Sequence, residues 1–132
     1  YEPFTRNRPV DVSPAQWAAL QDMVPFRKAS WDNCHLSPGP IVQTPGRDPV
    51  MFYNGATDDA RWRIGWVTFD QSCECITGRG VEPLLMPPPA SDREATDIAF
   101  AASAILQQDG TIHLYYSLED RMLSRALVRT YD

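Results

Sequence analysis

One hairpin pattern occurs twice in this chain, and that repetition limits what it can fold into more than any other feature. Phe52-Tyr53 laid over Tyr115-Tyr116, an offset of 63 residues, also lines up the turn Pro45-Gly46 with Asp109-Gly110 and sets acidic residues shortly after each aromatic pair. A unit of three or four antiparallel strands cannot bury its apolar face alone, so repeated units stack on their neighbours. Two arrangements satisfy this. One is a set of propeller blades, although the period exceeds the ~40 to 50 residues of common blade repeats; the other is a small β-sandwich.

The strands read directly from β-forming runs bounded by turn residues. Residues 41–44, the turn Pro45-Gly46-Arg47-Asp48 and residues 50–53 form a hairpin, residues 63–69 supply a third strand, and a weaker one runs near 75–77. After the bridge Met86-Pro87-Pro88-Pro89 the pattern returns as residues 99–106, the turn Gln107-Gln108-Asp109-Gly110, residues 112–116 and residues 123–128. The first thirty residues differ. Ser13-Pro14-Ala15-Gln16 reads as a capping box, and Trp17, Leu20 and Val24 fall on one face of a short helix over 14–24 that Pro25 ends. Twelve prolines agree with many turns and edge segments, because proline cannot donate to a ladder.

With 132 residues the chain has room for one modest core. A net charge of −5 and the lack of any basic run argue against nucleic acid or an anionic membrane as partner. No apolar run approaches the ~20 residues that cross a bilayer, and the residues given do not read as a leader with a charged start and apolar centre. Because Tyr1 is not Met, an earlier segment is left open. Cys34, Cys73 and Cys75 contain no CxxC pair, and with two histidines they supply no four-ligand zinc site. The expectation is therefore free thiols in a cytoplasmic protein with neither metal nor cofactor.

Several segments, in order, carry a family likeness. Trp31-Asp32, Gly39-Pro40-Ile41 with Thr44, Phe52-Tyr53-Asn54-Gly55-Ala56 and Trp62-Arg63-Ile64-Gly65 through Phe69-Asp70 resemble glycoside hydrolase family 130, the β-mannoside phosphorylases and related mannosidases. Glu82-Pro83-Leu84-Leu85-Met86-Pro87 is similar to that family's Glu-Pro-Leu-Leu-x-Pro. Asp97-Ile98-Ala99-Phe100 is similar to its Asn-Val-Val-Phe, and Tyr115-Tyr116-Ser117-Leu118-Glu119-Asp120 to its Tyr-Tyr-Gly-Ala-Ala-Asp. The resemblance implies an all-β fold, a partial five-bladed β-propeller of about two blades with a short N-terminal helix. It divides the chain into an arm over 1–35, a blade over 36–95 and a final blade over 96–132.

In the family, polar residues at strand ends face a central pocket that holds the sugar, and an Asp from an early blade is the proton donor. Nothing in the first thirty residues resembles that segment, so the implied protein is glycosidase-related without its full catalytic machinery, and whether it turns over substrate stays open. The alternative is a non-catalytic carbohydrate-binding or interaction module. In either case a mannose-type sugar is the implied ligand. Open blade flanks imply a homo-oligomer or blades supplied by another chain.

Five residues are candidates for substrate binding: Asp120, Asp97, His35, Asn54 and Trp62. Asp120 follows an aromatic pair at a strand end, where a carboxylate accepts hydrogen bonds from sugar hydroxyls or, equally, caps its own turn. Asp97 stands where the family has Asn. By the resemblance His35 occupies the place of a phosphate-gripping Lys and Asn54 that of a His; an imidazole and an amide lack a permanent charge, which favours hydrolysis or sugar binding over phosphorolysis. Trp62 is read either as a stacking surface for a sugar ring or as core, Tyr53 as core, and Asp58-Asp59 as a solvated turn.

Overall fold

The computed structural model describes residues 29–87 and 98–131, so the expected helix over 14–24 and Asp97 lie outside the described residues. Those residues form eight strands: β1 His35–Ser37, β2 Ile41–Val42, β3 Val50–Ala56, β4 Trp62–Phe69, β5 Ile76–Arg79, β6 Ala99–Leu106, β7 Ile112–Leu118 and β8 Met122–Val128. There is no helix among them. The first five make one antiparallel sheet in the order β1-β3-β4-β5, with β2 also on β3, and the last three make a second in the order β6-β7-β8.

Chain chemistry explains the one strand that periodicity missed. β1 and β2 lie on the same edge of β3, paired through Leu36 to Gly55 and Ile41 to Met51. They form one inner strand broken at Pro38-Gly39-Pro40, because two prolines remove two donors in three residues. The Pro40 carbonyl still accepts from the Phe52 amide at 3.0 Å. Only glycine fits between, since a Cβ at Gly39 would come within 1.8 Å of the Phe52 carbonyl oxygen. At the far side of β4, Leu84 and Leu85 prolong the outer edge by exchanging backbone hydrogen bonds with Ile64 at 2.8 and 2.9 Å.

Period-two alternation gives the first sheet two apolar faces. Val42, Val50, Phe52 and Ile64 pack against Ala99, Ala101, Ile112 and Leu114 of the second sheet. Met51, Tyr53, Val67 and Phe69 point the other way and are covered by Trp31, Leu36 and Ile76. The repeat has a definite parity across these faces. Phe52 faces the second sheet, whereas Tyr115, which the 63-residue offset lays over it, alternates with Leu114 and Tyr116 and so faces away from the first. Likewise Tyr53 faces outward while Tyr116 packs into the seam.

A buried polar cluster fastens the outward face. The Asp32 carboxylate, fully buried, accepts from the Tyr53 hydroxyl at 2.5 Å and from Arg79 Nη2 at 2.8 Å. The Arg79 guanidinium also sits 5.1 Å from the centre of the Tyr53 ring, and Trp31 stacks on the same ring at 5.7 Å. Trp31 Nε1 donates to the Val81 carbonyl at 3.1 Å. The indole can lie there because Gly65 has no side chain; a Cβ would be 2.7 Å from both Trp31 and Tyr53.

Burial, reinforced by the bond to Asp32 and opposed by Arg79, pushes the Tyr53 phenol above its ordinary value of 10.0. With the folded pKa raised, the unfolded chain gives up this proton first, so the stability it contributes is complete below about pH 10 and is lost above it. Urea unfolding between about pH 9 and about pH 11 is expected to show a falling stability that Tyr53→Phe lacks, with the variant already about 1 to 3 kcal/mol weaker at neutral pH. An identical pH slope in the two proteins would contradict this account.

Candidate functional site

At one end of the seam between the sheets, strand register gathers three rings. His35 on β1, Ala56 on β3 and Trp62 on β4 form one cross-strand row. Ala56, fully buried, is small enough for the flanking rings to meet above it, and the His35 and Trp62 rings stack at 5.8 Å and 26°. Phe100 of β6 meets Trp62 edge-on at 5.2 Å. His35 is exposed while Trp62 and Phe100 are half-buried, so the row offers aromatic surface to solvent at the meeting point of the two sheets.

Asn54 stands behind this row. It is fully buried, its side-chain oxygen accepts from the Ala101 amide at 2.7 Å, and its nitrogen donates to the Ala101 carbonyl at 3.4 Å. The amide thus serves as a clamp between β3 and β6 and does not face an opening. The family likeness placed it among the sugar-binding candidates, in the position of a His; in the structure its amide is taken up by Ala101, 47 positions away in sequence.

Asp120 lies at the same end of the second sheet. Glu119 and Asp120, with φ of 55° and 52°, are the central pair of the tight turn between β7 and β8, closed by the Arg121 amide bonding the Leu118 carbonyl at 3.0 Å. Two left-handed residues match the type I′ hairpin geometry, which Asp tolerates. The Glu119 amide bonds the Ile98 carbonyl at 2.8 Å and ties the turn to the start of β6, while the Asp120 side chain is exposed. The structure therefore brings His35 and Trp62 into contact, adds Phe100, sets Asp120 on the same rim and withdraws Asn54 into the seam. Phe100 was missed as a candidate because an aromatic inside a strand reads as core.

Beside the row, the β3–β4 turn carries Asp59, which pairs with Arg61 at 3.1 Å and accepts from the Thr57 hydroxyl. That hydroxyl, followed by Arg61, holds the Asp59 carboxyl below the usual carboxylate range. Among the described residues no group of three or more His, Cys, Asp or Glu could hold a metal ion, and no helix is long and apolar enough to cross a membrane.

These features define an all-β fold, two antiparallel sheets joined along one seam. The fold is similar to that of β-1,2-mannobiose phosphorylase from Listeria innocua, solved with β-1,2-mannobiose, at a TM-score of 0.69 and 23% identity over 79% of this chain and 30% of that one. It is also similar to a proposed glycoside hydrolase from Parabacteroides distasonis (TM-score 0.62, 21% identity, 77% of this chain, 33% of that). A glycosyl hydrolase from Bacteroides ovatus gives 0.60, 22%, 77% and 31%. The resemblance carried by the sequence motifs thus extends to the fold, and the chain spans about a third of the length of these structures. No protein-family model and no curated protein matches the chain.

Replacing Asn54 by Leu keeps the volume but strands the amide and carbonyl of Ala101 in the seam. A loss of about 2 to 4 kcal/mol is expected by urea unfolding. A loss under about 0.5 kcal/mol, ordinary for a surface site, would mean the clamp is not what joins the sheets.

Proposed function

We propose that this chain is the sugar-binding portion of a mannoside-acting glycosidase or phosphorylase fold, furnishing part of a pocket and not the acid that cleaves the glycosidic bond. The observation that carries this is the His35–Trp62–Phe100 row at the mouth of the seam, rimmed by the Asp120 turn. Aromatic faces receive the apolar faces of a pyranose, and a carboxylate beside them accepts from its hydroxyls. The likeness in fold to a phosphorylase solved with β-1,2-mannobiose supports a mannose-type ligand.

On this reading the two sheets are consecutive blades of a five-bladed propeller, over 36–95 and 96–132, with 1–35 as an arm. The parity of the repeat supports it. Blades related by rotation send equivalent residues the same way around the ring, as with Phe52 toward the second sheet and Tyr115 away from the first, whereas two halves of a symmetric sandwich would turn both inward. Asp97 lies outside the described residues and stays a candidate by the family likeness alone. Hydrolysis needs a positioned acid and a second group across the ring. No residue of the chain matches the family's acid, and His35 in place of a lysine weakens phosphate capture, so binding without turnover is the expected behaviour. Three exposed free thiols fit a reducing, cytoplasmic compartment.

A second reading, self-association, rests on the outer face of the second sheet. Leu123 is 78% exposed, Leu127 60% and Ile105 51%, and Leu127 and Ile105 share one register row through His113. Light scattering at micromolar concentration is expected to give a dimer or larger species, which Leu123→Arg with Leu127→Arg reduces to monomer; a wild-type monomer would remove this reading.

For the sugar site, an NMR titration with β-1,2-mannobiose is expected to shift the Trp62 indole signal with millimolar affinity. Asp120→Ala is expected to abolish the response with the fold intact, because an exposed Asp costs little stability. An unchanged titration in Asp120→Ala would remove that residue from the site. Phosphate-dependent turnover by the purified chain would overturn the non-catalytic reading.

A further inference from the structure

The turn between β4 and β5, residues 70–75, presents Cys73 and Cys75 to solvent with one residue between them. Asp70 shapes it. Its backbone amide bonds the Cys75 carbonyl at 2.9 Å, its carbonyl accepts from the Cys73 amide at 2.9 Å, and its Oδ1 accepts from the successive amides of Glu74 and Cys75 at 2.7 and 3.0 Å. The Ser72 hydroxyl donates to Oδ2 at 2.7 Å. The turn is also pinned to the β2–β3 loop, because Gln71 Nε2 donates to the Arg47 carbonyl at 2.6 Å and Gln71 Oε1 accepts from Gln43 at 3.1 Å.

The backbone of both cysteines is therefore held, and their spacing follows. Successive amides point to opposite sides of an extended chain, so two that share one carboxylate oxygen require a folded backbone at Glu74, as where an Asp side chain collects amides at the start of a helix. Helix-like curvature sets residues two apart at about 5.4 Å between Cα atoms. That lies inside the ~4.4 to 6.8 Å across which paired cysteine sulfurs meet. Cys73 also takes a φ of 58°, a left-handed conformation that glycine or asparagine ordinarily fills. Cys34 is remote from the pair: its amide bonds Ala56 at one end of β3, whereas the turn follows Phe69, whose amide bonds Pro49 at the other end.

We infer that Cys73 and Cys75 form a two-thiolate site for copper(I). The donor set selects the occupant. Among the described residues no group of three or more His, Cys, Asp or Glu could hold a metal ion, which leaves zinc without its tetrahedral set and calcium without its shell of oxygens. Closed-shell copper(I) is satisfied by two thiolates in line, and thiolate is the ligand it prefers. Binding is ligand exchange without a change of oxidation state: each thiol gives its proton to solvent as its sulfur–copper bond forms, so one ion enters and two protons leave. Because the turn already holds both cysteine backbones, little ordering opposes closure of the chelate. The site lies at the far end of β3 from His35 and Trp62 and does not depend on the sugar reading.

The test uses the whole chain, reduced and without oxygen, titrated with the copper(I) complex of bicinchoninate, whose colour reports the metal passed to the protein. Uptake of one copper per chain is expected, with a thiolate-to-copper band in the ultraviolet and an X-ray absorption spectrum showing two sulfur neighbours only. Cys73→Ser and Cys75→Ser are each expected to lower the affinity about tenfold or more, the scale of losing one of two tethered ligands, while Cys34→Ser binds as the parent does. All these variants replace exposed thiols, so the urea midpoint without copper is expected to stay unchanged, and added copper to raise it only in the parent and Cys34→Ser. The inference is overturned by no uptake against bicinchoninate, by a smaller loss than this in either turn variant, by loss of binding in Cys34→Ser, or by one copper shared between two chains.

Discussion

The side-chain amide of Asn54 sets the second sheet on the first. Apolar packing along the seam, Phe52 and Ile64 against Ala101 and Leu114, is strong but without direction, and alone it would allow the sheets to slide. Two hydrogen bonds to one residue, Ala101, remove that freedom because they can be made only in one register. Everything at the seam's ends follows from that alignment. Phe100, next to Ala101, reaches Trp62.

The opposite face of the first sheet is fixed by charge as well as by packing. Asp32, Arg79 and the Tyr53 hydroxyl form a cluster in which the phenol and the guanidinium both donate to Asp32 Oδ2, so the buried carboxylate faces an opposite charge. Replacing one member leaves the others desolvated without their partner, so the cluster is costly to disturb even if its net contribution is small. Its position has a functional consequence: Trp31 and Asp32 come just before β1, and anchoring them sets where His35 begins. The Cys34 amide bonds the Ala56 carbonyl at 3.1 Å and completes that entry. His35 of the aromatic row and Asp32 of the buried cluster therefore lie on one continuous stretch of chain.

Much of the fold was legible in the sequence, for local reasons. β6 matches its expected span, β3, β4, β7 and β8 agree within a few residues at their ends, and the Pro45-Gly46 and Asp109-Gly110 turns are where the residue types demanded. β1 was missed because three residues before a Pro-Gly-Pro break carry no periodicity of their own; the partner edge of β3 makes them a strand. Of the candidate residues, His35 and Trp62 stack in one cross-strand row, and Asp120 sits in the tight turn after β7 with its side chain in solvent.

The sequence by itself determined the strands, the turns, the doubled unit and its likeness to a family of mannoside-acting proteins, because alternation, proline and glycine act over a few residues. It also determined a net charge of −5, which is a count along the chain. Only the tertiary structure decided the use of each polar side chain. Asn54 and Asp32 look no different in sequence from Asp70 or Asp109, whose carboxylates cap their own turns in solvent. Their burial comes from partners 47 residues away, Ala101 for one and Arg79 for the other. A side chain's solvation is fixed by what packs over it, and that is a property of the assembled sheets.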